Sequence, residues 1–168
     1  MKYLYKKSNN NEDVLVKDNL EIEIFCPTLR RLIIKGEKKS VKLLAVRLCF
    51  WILTLGKAKL YCLREHGKLV HTSYVIPKCY KFSFLYKTDY EIGPCMTYPE
   101  FRGRGYYPMM LCYICSTVGV QNTNFYMIVE ESNFASIKGI EKAGFERCGT
   151  IRVTKFTKRY LIETRNNY

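Results

Sequence analysis

No apolar run in this 168-residue chain is long enough to cross a bilayer. The most hydrophobic stretch, Val41 to Leu55, has 15 residues with Arg47 inside it and Lys42 and Lys57 at its edges; a spanning helix needs about 20. No transmembrane segment is expected. A buried or half-buried helix is the favoured reading, with an interfacial membrane helix as the alternative. A secretory signal is also missing from the N-terminus, so the eight cysteines are expected as free thiols in a reducing cytoplasm. The one close pair, Cys112 and Cys115, lacks the second pair or histidine couple that zinc would require, because His66 and His71 lie far off. No metal is expected. Acidic residues are scarce, and no internal repeat is present.

What is present describes one folded domain over 1–168. An apolar fraction of 48% excludes disorder. With 28 basic against 15 acidic residues the formal charge is +13, which attracts phosphate-bearing partners without choosing among nucleic acid, anionic lipid and a phosphorylated cofactor. Fourteen tyrosines could stack on bases, so nucleic-acid binding is one alternative function. The basic residues are scattered through the chain, not gathered in a block or phased stripe, and no specific nucleic acid is expected.

Met1 to Asn19 is polar and reads as a loosely held start, in which Tyr3, Leu4 and Tyr5 could add an edge strand. Leu20 to Cys26 alternates as a half-buried strand and ends at Pro27. Thr28 to Leu55 reads as two helical segments broken near Gly36, with Ser40 as N-cap of the second. Lys57 to Arg64 and Lys68 to Ile76 form a hairpin around Glu65-His66-Gly67. Lys81 to Tyr86 is strand-like and leads to the strand Tyr90 to Tyr98. A helix follows over Met109 to Val118 with Pro108 in its first turn. Asn124 to Glu130 is a core strand. Asn133 caps a helix bearing Phe134, Ile137 and Ile140, and Gly144 closes it. Thr150 to Phe156 and Thr157 to Ile162 supply one or two last strands. The fold class is α+β in three layers, with a mixed central sheet flanked by helices.

Between a strand and a helix lies Arg102-Gly103-Arg104-Gly105-Tyr106-Tyr107. Two glycines allow successive N–H groups to face one point, and the helix start adds unpaired donors and a partial positive charge. This is a cradle for a pyrophosphate, to which Arg102 and Arg104 could add charge-assisted bonds. No Gly-Lys-Ser/Thr follows and the third glycine of a dinucleotide fingerprint is missing, so both of those families drop out. By itself the loop is equally an ordinary turn between solvated arginines.

About 28 residues downstream comes Glu130-Glu131-Ser132-Asn133, then Lys142-Ala143-Gly144-Phe145. Together, Pro99 to Leu111 and Val129 to Phe145 resemble the two signature segments of the GNAT (GCN5-related N-acetyltransferase) superfamily, its Arg/Gln-x-x-Gly-x-Gly/Ala loop and its strand-Asn-helix-Gly-Phe segment. The resemblance covers roughly residues 57 to 162, while residues 1 to 56 match nothing in it. It implies a splayed strand pair that opens a slot for the pantetheine arm. Gly93-Pro94 argues independently for a bulge there, since proline cannot donate to a ladder and glycine weakens one.

The resemblance further implies that Cys95, Met96 and Thr97 line that arm through their backbones, that Arg102 to Tyr107 hold the pyrophosphate, and that Asn133 touches the arm or an ordered water. It implies acetyl-CoA as acyl donor and attack by an uncharged amine. A protonated amine must first lose a proton, because its pKa lies near about 10. Glu91, eleven residues before Arg102, stands where the histone-acetylating branch carries its base. Asp89, Glu130 and His71 are alternatives, and a solvated strand-edge carboxylate is the bland reading of Glu91.

The family's usual tyrosine acid is replaced by Ile140, and Tyr107 stands where Gly or Ala is preferred. Three explanations stay open: another tyrosine substitutes, with Tyr106 as the candidate and Tyr107 and Tyr126 as alternatives; solvent protonates the thiolate; or the protein binds an acyl-CoA without turnover. The expected partners are a coenzyme A thioester and a small amine such as an amino sugar, with a homodimer left open. A second function remains, an acyl-CoA-binding module without turnover.

Overall fold

The computed structural model describes residues 1–9, 16, 19–37, 40–120 and 122–165. The run 10–15, read as part of a loosely held start, and Lys38-Lys39 lie outside the described residues. In chain order the elements are β1 (Lys2–Ser8), β2 (Leu20–Phe25), α1 (Val41–Thr54), β3 (Lys59–Glu65), β4 (Lys68–Pro77) and β5 (Tyr90–Thr97). A 3-10 turn (Pro99–Phe101) leads to α2 (Tyr106–Thr117), β6 (Asn124–Glu130), α3 (Phe134–Lys142), β7 (Glu146–Val153) and β8 (Tyr160–Arg165). The strands make one mixed sheet in the order β2-β3-β4-β5-β6-β1-β7-β8. β5 and β6 run parallel, and the other neighbours pair antiparallel.

Helices cover both faces of this sheet. On one, Met110, Leu111 and Ile114 of α2 and Ile140 of α3 bury Leu63, Val70, Ile92, Phe125 and Met127. On the other, Phe50 of α1 with Phe82 and Leu85 bury Leu60, Ile76, Tyr126 and Ile151. Strand β4 is therefore apolar or buried on consecutive positions from Leu69 to Ile76, as a strand covered on both faces must be. The hairpin β3-β4 turns through His66 (φ 49°) and Gly67 (φ 73°). Two successive left-handed residues match the twist of the flanking strands.

Four expectations are corrected. Strand β1 is not at an edge; it lies between β6 and β7. Its neighbours Leu4 and Tyr5 are buried in opposite core layers, so an apolar pair at adjacent positions serves two faces at once. Among the described residues, Thr28 to Leu55 contains one helix, not two. After Pro27 the chain makes a tight turn, in which Thr28 and Arg31 pair and the Thr28 hydroxyl accepts from the Arg31 amide at 3.1 Å. Lys81 to Tyr86 is a series of turns, not a strand, with Phe82 and Leu85 dipping into the core. Phe134 starts α3 but is exposed, whereas Ile140 is fully buried.

Arg47, the one charge in the apolar stretch Lys42 leaves behind, is buried inside the α1 layer. Its guanidinium donates to both Glu37 carboxylate oxygens, to the Leu32 carbonyl and to the Tyr74 hydroxyl. A buried charge persists when its donors are satisfied in this way, and the segment 32–37 is thereby tied to the helix and to β4.

The central place of β1 can be tested at Leu4, which is 1% exposed. Leu4→Ala is expected to cost about 2–5 kcal/mol in urea denaturation. A loss below about 0.5 kcal/mol, the level of an unimportant surface site, would contradict the assigned position.

Candidate functional site

Strands β5 and β6 are held together by just two register pairs, Tyr90 with Phe125 and Glu91 with Tyr126. Beyond these they part. On its other side β5 stays paired with β4, but Ser73 faces Cys95 while Val75 faces Ile92, so Gly93 and Pro94 together oppose Tyr74. This is the bulge that the dipeptide suggested, and its peptide bond is cis. The extra residue reverses the side-chain alternation. Cys95, not Pro94, joins Ile92 on the α2 side, and Thr97 turns inward to His71.

The parting leaves a cavity of about 640 Å³ that passes through the sheet. Ile140, Tyr107 and Met127 line it from the α2–α3 side, and Glu91, Phe50 and Tyr160 from the α1 side. A second cavity of about 530 Å³ opens beside the glycine loop, lined by Met96, Thr97, Arg102, Gly103, Gly105 and Tyr106. Cys95, Tyr107, Asn133 and Ser136 border both, so the two cavities adjoin.

The loop is built as an anion cradle. Gly103 (φ 79°) and Gly105 (φ 80°) adopt left-handed conformations, and Gly105 caps α2. Pro108 has no N–H, so the first-turn donors belong to Gly105, Tyr106 and Tyr107, residues that line the second cavity. Arg102 borders the cavity and anchors its Nε on the Thr97 carbonyl at 3.2 Å. Arg104 is directed elsewhere: its guanidinium pairs with Glu65 of the hairpin at 3.2 Å and lies over Phe101. Asn133 Oδ1 accepts from the Ser136 amide at 3.2 Å, so it caps α3 while bordering both cavities.

Glu91 is the buried acid of the cleft, 5% exposed. Its Oε2 is buried without a hydrogen-bond partner among the described residues, and its Oε1 lies where a Cβ at Gly93 would come within 2.8 Å. Desolvation holds this carboxyl well above the usual carboxylate range, and Lys81 acts in the opposite direction. The other acids are engaged. Asp89 accepts from Asn124 at 3.1 and 3.2 Å and from the Tyr86 amide at 3.2 Å. Glu130 is paired with Lys2, whose hydrogen bond holds it below the ordinary value.

His71 is fully buried, with Nδ1 on Thr97 Oγ1 and Nε2 on Ser73 Oγ, both at 2.7 Å. Burial pushes its pKa down to about 3, so it stays neutral. The Ser73 hydroxyl also reaches Cys95 Sγ at 3.2 Å. This chain of polar groups stiffens the β4–β5 wall below the bulge. Sequence reasoning missed Ser73 and Lys81, and nothing local marks either one.

Of the tyrosines, Tyr106 points its hydroxyl at Glu65, 2.5 Å away and beyond the cradle. Tyr126 lies beside Glu91 in the register, edge-on to Phe84. Tyr107 borders both cavities. Its ring lies 5.7 Å from that of His71 and against α3, where a Cβ on Gly139 would sit 2.5 Å from its Cδ1. Burial raises its pKa, and Cys95 and Glu91 add to the shift.

No protein-family model matches the chain, and no curated protein matches it. Solved structures do. A GNAT-family acetyltransferase from Colwellia psychrerythraea is similar over 87% of this chain and 52% of that one, at 17% identity and a TM-score of 0.56. A tandem GNAT protein from the clavulanic acid biosynthesis pathway is similar over 87% and 50%, at 14% identity and 0.55. A functionally unknown conserved protein from Staphylococcus epidermidis is similar over 87% and 57%, at 10% identity and 0.60. The chain thus spans about half the length of the structures it matches. It has the GNAT fold.

Two stability measurements check this site. Gly139→Ala would ordinarily stabilise a helix interior by about 1 kcal/mol; against the Tyr107 ring it is expected to destabilise, and Tyr107→Ala in the same chain is expected to restore the gain. Additive effects in the four-member cycle would show that the ring is not there. Glu91 binds its proton more tightly folded than unfolded, so its contribution is fully present below the ordinary carboxylate pKa and is lost as pH rises through the raised value. Glu91→Gln should therefore be more stable than the parent at neutral pH, with a difference that shrinks on acidification. Parallel melting-temperature curves from pH 4 to 8 would disprove this.

Proposed function

We propose that the chain is an acyl-CoA-dependent N-acyltransferase that transfers an acetyl group from acetyl-CoA to a small amine, such as an amino sugar, by direct attack. One observation carries the reading. A buried, incompletely hydrogen-bonded carboxylate, Glu91, lies in a cavity that runs between parted parallel strands and joins a glycine cradle. The GNAT fold supports it.

In this proposal the amides of Gly105, Tyr106 and Tyr107, with Gly103 and Arg102, hold the pyrophosphate. The backbone of Cys95, Met96 and Thr97, left without a strand partner on the β6 side by the parting, binds the pantetheine arm, and Asn133 flanks it. Arg104 acts at one remove, by fixing the loop to Glu65. The acyl carbon then lies at the gap in the sheet. The acceptor nitrogen approaches from the α1 side, forms the bond to that carbon, and gives up its proton to Glu91, whose raised pKa makes it a stronger base than an ordinary carboxylate.

Cleavage of the carbon–sulfur bond releases a thiolate that takes its proton from solvent. Neither tyrosine of the loop is suited to supply it: the Tyr106 hydroxyl is held by Glu65, and burial makes the Tyr107 hydroxyl a weaker acid than free tyrosine. The second reading, binding without turnover, is favoured by one feature, the apolar Ile140 buried in the cavity wall.

Calorimetric titration with acetyl-CoA decides the first point, and absence of binding at high micromolar concentration would overturn both readings. Turnover is read as released CoA thiol. Glu91→Gln should bind acetyl-CoA as the parent does and lose about 10²–10⁴-fold in kcat. In the parent, kcat/KM should rise with pH through a value above the usual carboxylate range, as Glu91 ionises, and that acid limb should vanish in the variant. An unchanged profile would remove Glu91 from the role.

A further inference from the structure

The α1-side wall of the sheet-crossing cavity is basic and aromatic. Lys81 extends its ammonium among three rings, 5.3 Å from the centroid of Phe50, 5.7 Å from Phe82 and 5.2 Å from Tyr160. No salt bridge to Lys81 is present among the described residues, and its field reaches Glu91. Lys42, in the first turn of α1, borders the same cavity and is exposed. A third ammonium there, Lys2, is already paired with Glu130. The acids bordering the cavity are Glu91 and Glu130, so a positive surplus remains even when Glu91 is ionised.

That surplus acts on the acceptor before chemistry begins. Amines arrive mostly protonated, and a polyamine or unsubstituted alkylamine would meet two unneutralised ammonium groups in a cleft walled by low-polarity rings, where charge interactions are strongly felt. An acceptor with its own negative group meets the opposite field. Holding that group at the wall would also direct its amine inward, because Glu91 lies deeper on the same side of the gap.

Resting on the acyltransferase reading, we propose that the acceptor is an amine that also carries a carboxylate or phosphate, bound by the ammonium groups of Lys81 and Lys42 with its nitrogen toward Glu91. The rings of Phe50 and Tyr160 then flank its body, either an aliphatic chain or a sugar face.

The test uses acceptors in matched pairs, glycine with glycinamide, phenylalanine with its amide, and glucosamine 6-phosphate with glucosamine, together with spermidine. Two readouts are taken with the intact chain: CoA thiol release from acetyl-CoA, and the rise in melting temperature on adding each amine to the CoA-loaded protein. The anionic member of at least one pair should exceed its partner by tenfold or more in kcat/KM. Which pair responds tells carboxylate from phosphate. Lys81→Met should reduce that preference at least tenfold and Lys81→Arg should keep it; Lys42→Met, on an exposed turn, should reduce it less.

Faster turnover of spermidine or of the neutral partners would overturn the inference and leave the acyltransferase reading standing. So would acetyl found on Lys81 itself by peptide mass mapping, or silence of every anionic amine in both readouts while acetyl-CoA still binds. Failure of acetyl-CoA to bind would instead remove the reading on which it rests.

Discussion

The parting of β5 from β6 is the constraint on which the rest of this structure depends. A parallel pair secured by two register pairs, Tyr90–Phe125 and Glu91–Tyr126, leaves backbone groups of Cys95 to Thr97 free of a strand partner on that side. Such groups demand hydrogen bonds, and an amide-bearing arm is a chemically suitable occupant. The same parting lets one cavity reach both faces of the sheet, which an unbroken sheet forbids.

Keeping the strands apart requires that both walls be rigid. On the β4–β5 side the bulge at Gly93-Pro94 turns Cys95 and Thr97 inward, where His71 and Ser73 join them in a satisfied polar chain. On the β6 side the wall is braced by β1, which pairs along its whole length with β6 and then with β7. Tyr107 closes the angle between α2 and α3 by lying on Gly139, a position where a methyl group would not fit. Across the sheet, the buried pair Arg47–Glu37 fastens the segment before α1 to that helix, and α1 in turn supplies Phe50 and Lys42 to the cavity.

Charge is distributed along the cleft by distance from solvent. The cradle presents amide donors and Arg102 at an open end, Glu91 lies buried at the middle, and Lys81 and Lys42 border the α1 end. Burial opposes ionisation of Glu91 while Lys81 assists it. The stability of the fold is thus coupled to one proton on Glu91, and the folded state becomes less stable as pH rises.

The sequence by itself determined whatever depends on neighbours in the chain. The paired glycines before α2, the Asn133 cap, the Gly144 closure, the hairpin turn near Gly67 and the break at Gly93-Pro94 are local conformational demands, and each was legible because backbone sterics act within a few residues. The family resemblance drew on the same local patterns.

Tertiary structure decided what depends on packing across the chain. Tyr3-Leu4-Tyr5 carries no mark that tells an edge strand from a central one, because strand order follows from which sheet edge its two apolar faces can fill. Lys81 to Tyr86 alternates like a strand, but its aromatics are spent on filling the core from turns. Tyr106 and Tyr107 are adjacent in sequence, yet the direction of the helix start sends one hydroxyl to Glu65 and the other ring into the cleft. Glu91 and Lys81 lie ten positions apart in the chain, and their shared cavity exists because burial energy is summed over the whole fold and not over a window of sequence.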